Sequence, residues 1–230
     1  MFLQSYAIST TRYGRLRSNR SNWDAGIVMI NRRTFCAAAF AVVILMGAGS
    51  ARADDAVEAR AFIDHLANKA IAALTANDIT REERFRRFHI LLNEHFAVKT
   101  IGQWVLGRHW RRASEMQRQE YLNLFNDLIV DTYADRFKRY SGEKLVITDA
   151  VSRGKKDTVV STLISRPDGG QPIHVDWRVR HIDEVLRIVD VIVEGVSMGQ
   201  TQRSEFASVI RANGGEVKGL LDQLRKRAPG

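Results

Sequence analysis

Gly195-Val196-Ser197-Met198-Gly199 spells G-x-S-x-G, the turn that lifts a nucleophilic serine between a strand and a helix in α/β-hydrolases. That chemistry needs an acid and then a histidine after the serine, and the last histidine here is His181. Ser197 therefore reads as a turn residue that caps the next helix. The six histidines (His65, His89, His95, His109, His174 and His181) include no pair at i, i+3 or i, i+4, the spacings that put two imidazoles on one helix face for a metal. Asp176 and Asp190 fall on neighbouring strands as a candidate acid pair for glycoside chemistry, but Arg178, Arg180 and Arg187 stand close enough to make ordinary cross-strand ion pairs instead. The expectation is a chain with no catalytic residues, no metal ligands and no cofactor.

Basic residues cluster at Arg81, Arg84, Arg86 and Arg87, at Arg108, Arg111 and Arg112, and at Arg225, Lys226 and Arg227. Each reads first as a solvated face. The group around Trp110 is the one suited to docking near anionic headgroups. The formal charge of +9 does not argue for nucleic acid, because much of it sits at the N-terminus. Residues 1–53 carry seven Arg and one Asp, and the 28 basic and 25 acidic residues after them leave a net of only +3.

That basic preface has the parts of a secretory signal: Arg32 and Arg33, an apolar run from Phe35 to Met46, and Ala51-Arg52-Ala53 as an A-x-A cleavage site. The run is about a dozen residues, short of the roughly 20 that span a bilayer. The expectation is a cleaved leader over 1–53, a soluble exported domain over 54–230, and a mature start near Asp54. Met29 makes a more ordinary start codon than Met1, and Arg32-Arg33-Thr34-Phe35 also fits a twin-arginine signal. Cys36 is the only cysteine and lies in the part removed, so the mature chain rests on packing without disulfides or thiolate sites.

The elements behind these residues follow from periodicity. Phe62, Leu66, Ala70, Ala73 and Leu74 fall at helical spacing over 56–74, and Thr80-Arg81-Glu82-Glu83 is a capping box for a second helix carrying Phe85, Phe88, Leu92 and Phe96. A short helix and then a turn are expected around Gly107. Ser114-Glu115-Met116-Gln117 caps a long helix with a stripe from Leu124 and Phe125 through Leu128, Ile129 and Tyr133 to Phe137, stopped by Gly142. After Gly142 the period drops to 2, and four strands fit 144–151, 158–165, 173–180 and 185–194. In the third, Ile173, Val175, Trp177 and Val179 face one way while His174, Asp176, Arg178 and Arg180 face the other. Two helices close the chain, one with Phe206, Val209 and Ile210, the other with Val217, Leu220, Leu221 and Leu224. Helices, an antiparallel sheet of about four strands, then helices again make an α+β single domain with room for an apolar pocket between the layers.

Three stretches together resemble the MlaC, or toluene-tolerance, family of periplasmic phospholipid carriers. They are Val98-Lys99 through Val105-Leu106-Gly107-Arg108-His109-Trp110 to Gln117-Arg118; Phe125 and Tyr133 with Tyr140-Ser141-Gly142-Glu143; and Asp190 through Met198 with Arg203 and Phe206. The resemblance runs in order over nearly all of 56–226. One departure is Glu184-Val185-Leu186, where the family often has a glycine-tryptophan pair, which bears on lipid selectivity. Gly195-Val196-Ser197-Met198 and Thr201 to Phe206 also resemble the hopanoid-associated HpnM branch, so the implied cargo is phospholipid or, alternatively, a hopanoid.

The resemblance implies a non-enzymatic shuttle between the membranes, with an inner-membrane ABC transporter bearing a lipid-binding domain and an outer-membrane lipoprotein complex as partners, and no nucleic acid. Burial is worth about 0.8 kcal/mol per methylene, so two chains of roughly fourteen methylenes represent on the order of 20 kcal/mol of exposure avoided. The residues expected to line the pocket are Phe96, Ile101, Val105, Trp110, Leu124, Leu128, Trp177, Val179, Val191, Val193, Val196 and Met198. A protein-interaction module, with a peptide segment in the same apolar groove, is the rival reading.

Overall fold

The computed structural model of the chain describes residues 54–76 and 78–227, so Cys36, the apolar run and the A-x-A site lie outside the described residues. Residues 54–74 form α1. Helices α2 (Arg81–His95), α3 (Val98–Leu106), α4 (Arg108–Arg112) and α5 (Glu115–Ala134) follow, then a 3-10 helix over Asp135–Arg139. Strands β1 (Lys144–Arg153), β2 (Asp157–Ser165), β3 (Ile173–Ile182), β4 (Val185–Val193) and β5 (Val196–Ser197) precede α6 (Met198–Ala212) and α7 (Val217–Arg227).

The α+β reading holds, with three local corrections. The turn expected after Gly107 is the single-turn helix α4, Gly107 supplying a left-handed kink at φ 57° between α3 and α4. The long helix ends at Ala134 and tightens into the 3-10 turn, so Phe137 leaves the α5 stripe and packs on Phe88 at 5.9 Å between ring centroids. A two-residue fifth strand turns back along β4, because Glu194 and Gly195 both adopt positive φ and close a tight hairpin.

Both capping boxes leave a mark. Ser114 Oγ accepts from the Gln117 amide at 3.2 Å while Gln117 Oε1 accepts from the Ser114 amide at 3.0 Å, which satisfies two donors of the α5 terminus. At α2 the box is half made: Thr80 Oγ1 accepts from the Glu83 amide, but the Glu83 carboxylate is taken by Arg86 and Arg87.

The sheet is an antiparallel meander in the order β1-β2-β3-β4-β5. Ile147 pairs with Thr162 and Asp149 with Ser161, which leaves Thr148 as an extra residue in β1; Val189 is the corresponding extra residue in β4. Two apolar cores result. One lies among the helices, around Tyr121, Phe125, Phe206, Ile210 and Leu220; Tyr121 stacks on Phe125, and both present edges to Phe206. The other lies between α1 and the sheet, built from Ala59, Ile63, Leu66, Val160, Val179, Leu186 and Ile188.

Asp190 ties β4 to the helices. Its carboxylate, 5% exposed, accepts from Arg178 at 2.8 Å, from the Ser197 hydroxyl at 2.7 Å, and from the amides of Gly199 at 3.1 Å and Val191 at 3.0 Å. Ser197 in turn accepts from the Gln200 amide as the N-cap of α6. The serine of the G-x-S-x-G stretch is thus a cap bonded to an aspartate that is already engaged by an arginine. Removing the buried carboxylate takes charge-assisted bonds from the Ser197 hydroxyl and two amides as well as from the partly exposed Arg178, at a cost of about 3 kcal/mol. Asp190→Ala is expected to lower the melting temperature by about 10 °C, which thermal unfolding by circular dichroism reads.

Candidate apolar lipid site

Alternation along the strands assigns the inner face. β1 turns Leu145, Ile147 and Ala150 inward, β2 Val160 and Thr162, β3 Val175, Trp177 and Val179, and β4 Leu186, Ile188, Val191 and Val193. Among the described residues α1 is the helix that lies along this face, presenting Ala59, Phe62, Ile63 and Leu66, the i, i+3, i+4, i+7 stripe of a helix that covers a sheet. Its cover is incomplete. At the β1 margin a cleft of about 500 Å³ opens between Val57, Arg60, Ala61 and Asp64 of α1 and Leu145, Val146 and Ile147. At the other margin Trp177 and Val191, direct neighbours in register, are only partly buried. The Trp177 indole is fixed by its N–H donating to Thr162 Oγ1 at 3.1 Å, and Thr162 itself donates to the Val175 carbonyl.

The two ends of α1 are held differently. At its C-terminal end the buried Arg84 donates to the Leu74 carbonyl at 3.0 Å and Arg87 to the Ala73 carbonyl at 3.0 Å, so two guanidinium groups close the helix terminus. Among the described residues, the N-terminal half has exposed polar ties: Arg60 to the Ile147 carbonyl at 3.1 Å, and His181 to Glu58 at 3.3 Å. Surface contacts of this kind contribute between about 0 and 1 kcal/mol each. Apolar packing is what keeps this half on the sheet.

Nine of the twelve expected pocket residues divide between the two cores, and Val193, Val196 and Met198 belong to neither. Val105 is 2% exposed inside the helical core, and Ile101, Trp110, Leu124 and Leu128 pack around it, partly buried. Val179 is fully buried in the sheet core, with Trp177 and Val191 at its edge. Val193 is partly buried between Val175 and Val196 in register. Val196 is 54% exposed on β5, and Met198 is the half-buried first residue of α6.

Phe96 alone among the twelve touches both cores. Its backbone bridges Ile188, and the Ala97 amide donates to the Ile188 carbonyl at 2.9 Å, so it is the joint where the helices meet the sheet. The residues that sequence reasoning left out are Ala59, Phe62 and Ile63 of α1 and Ile147 and Ala150 of β1. The α1 stripe was the available signal, since a helix apolar on one face needs a surface to cover.

A family model described as "MlaC protein" matches residues 64–226. The chain is 25% identical over 134 residues to the Intermembrane phospholipid transport system binding protein MlaC of Haemophilus influenzae, a match covering 57% of this chain and 62% of the relative. It is 21% identical over 115 residues to the Toluene tolerance protein ttg2D of Pseudomonas putida, covering 50% of this chain and 53% of that one. The matches thus span less than two thirds of either curated relative's length. A solved structure of a phospholipid-binding protein from Ralstonia solanacearum in complex with a phospholipid superposes with a TM-score of 0.65 at 22% identity, over 74% of this chain and 96% of the other. That likeness establishes a shared fold.

His95 sits at the sheet–helix joint, 8% exposed, with its ring 5.7 Å from that of Phe62 and 3.7 Å from Glu94. Burial, aided by Lys69, Arg187 and His65 and opposed by Glu94, holds its pKa below the usual imidazole value. Burial, with Arg108, Arg112 and Arg211, does the same to His109. Both are therefore neutral in the fold, while the unfolded chain takes up protons near pH 6.5. Their stabilising contribution is complete above about pH 6.5 and is lost as pH falls from there through the lowered folded values. The urea midpoint is expected to fall between about pH 7.5 and about pH 5, where most carboxylates stay ionised, and to fall less in His95→Gln/His109→Gln.

Proposed function

The chain belongs to the MlaC family, and from that premise we propose that it is a periplasmic phospholipid carrier whose cargo lies on the inner face of the sheet. The observation that carries this reading is an apolar sheet face covered by one amphipathic helix, with apolar surface left at both margins of that helix. Acyl chains would take over the surface that α1 now shields, bounded by Phe96, Trp177, Val191 and Val193 on one side and by Ile147 on the other. Phe62, Ile63 and Leu66 would then pack on the lipid. The chemistry asks for nothing else: such a site holds its ligand by burial and needs no acid, base or metal.

The printed names of the relatives, one a binding protein of an intermembrane phospholipid transport system, support the same role. On this reading the chain is exported, receives lipid from an outer-membrane lipoprotein complex or an inner-membrane ABC transporter with a lipid-binding domain, and delivers it to the other. No helix among the described residues is long and apolar enough to cross a membrane.

Mass spectrometry of organic extracts from the exported protein, purified without detergent, is the direct test. Stoichiometric phospholipid is the expected result, and hopanoid in its place would reassign the cargo to the other branch. A lipid-free protein that also takes up no lipid from vesicles would overturn the carrier reading in favour of a groove for a protein segment. Val191→Asp and Trp177→Ala are expected to lower bound lipid several-fold, whereas Val151→Asp, on the opposite face of β1, is expected to leave it unchanged. Equal lipid content in all three variants would remove the inner face as the site.

A further inference from the structure

Five arginines gather on α4 and α6 without a carboxylate to answer them. Arg108, Arg111 and Arg112 occupy α4, and Arg203 and Arg211 belong to α6. Among the described residues none of the five takes part in an ion pair, and two carboxylates close in sequence are engaged elsewhere: Glu115 meets Arg118 at 3.5 Å and Glu205 accepts from Gln202 at 3.1 Å. His109 marks where three of them converge. It is 4% exposed, Arg108 Nε lies 3.5 Å from its Nε2, and Arg108, Arg112 and Arg211 all disfavour its protonation.

An exposed indole completes the surface. Arg203 lies over the Trp104 ring at 5.1 Å and donates to the Trp104 carbonyl at 3.0 Å. A Cβ at Gly107 would come within 3.0 Å of the same guanidinium, so the glycine lets Arg203 close against the turn that leads into α4. Trp104 is 42% exposed even so. Trp110, in the midst of the same basic run, is turned inward, edge-on to Tyr121 and lying under Arg118.

We propose that Trp104 with Arg108, Arg111, Arg112, Arg203 and Arg211 forms a docking face for anionic phospholipid headgroups at a bilayer surface. Charge complementarity is the argument. Five unanswered charges exceed the net of +3 carried by all of residues 54–230, so the patch is a strong local excess on a nearly balanced chain. Guanidinium groups match phosphate oxygens in a bidentate fork, and tryptophan prefers the headgroup level of a membrane. Each basic side chain near an anionic surface raises affinity about fivefold, and the attraction fades within about 8 Å at physiological salt. The face is independent of what the inner face of the sheet carries, so either reading can fail without the other.

The test is flotation of the exported protein, its N-terminus fixed by intact mass, with vesicles of phosphatidylglycerol mixed into phosphatidylcholine and with vesicles of phosphatidylcholine alone. Binding is expected only to the mixed vesicles, and added salt is expected to weaken it. Arg108→Ala/Arg112→Ala/Arg211→Ala is expected to reduce it about a hundredfold. The charge-matched control on the β1–β2 hairpin, Arg153→Ala/Lys155→Ala/Lys156→Ala, is expected to bind as the parent does. Failure of the parent to bind mixed vesicles, as an acidic protein partner for this face would produce, overturns the proposal. So does an equal loss in the two triple variants.

Discussion

The apolar inner face of the sheet is the constraint on which the rest of the architecture depends. An antiparallel meander turns every second side chain to one side, so Val160, Val175, Val179 and Ile188 must be covered or the sheet does not persist in water. The helices after Arg81 build a core of their own around Tyr121, Phe125 and Phe206 and meet the sheet at the Phe96–Ile188 joint. The task of covering the inner face is thereby left to α1. One helix cannot match the breadth of four long strands, so apolar surface remains at its margins.

Polar contacts divide the same structure into fixed and yielding parts. Asp190 gathers Arg178, Ser197 and two amides at the root of α6, and charge-assisted bonds in a buried place of this kind are strong and costly to break. Arg84 and Arg87 fasten the C-terminal end of α1 to α2. By contrast, Arg60 and the Glu58–His181 pair reach across exposed ground, where solvent screening leaves little. The strong polar ties thus hold the sheet to α6 and α1 to α2 at its far end, while the half of α1 over the β1 cleft rests mainly on apolar contact.

Periodicity made the secondary structure legible, because the change from 3.6 to 2 at Gly142 is a direct consequence of which faces are buried. The apolar face of β3 was visible for the same reason. The Ser197 cap was legible too, from the lack of any histidine after it. The division of the pocket residues between two cores was not, since Val105 and Trp177 are equally apolar in a sequence and only the path of the chain separates them. Nor was the role of α1 as the cover, because a stripe of apolar residues does not say which surface it meets. The 3-10 ending of α5 and the helical turn α4 fall where a glycine or a change of helix type moves a boundary by one turn, which lies below the resolution of periodicity.

A cover made of side chains can be exchanged for a cover made of acyl chains, and the magnitudes decide in which direction. Full burial of a large apolar side chain stabilises by about 2 kcal/mol, so the buried Ile63 and Leu66 with the partly buried Phe62 hold α1 on the sheet with about 5 kcal/mol. Two acyl chains of about fourteen methylenes represent on the order of 20 kcal/mol by the same measure. In the carrier proposed above, lipid would therefore displace the first half of α1 from the sheet with free energy to spare, more so because the same three side chains would pack on the lipid afterwards. Emptied of lipid, the sheet of such a carrier would take α1 back, so that its inner face would not stand open to water. A helix weak enough to be displaced and apolar enough to return would let one fold exist both loaded and empty, and its firm attachment at Leu74, away from the cleft, is what such an exchange would need.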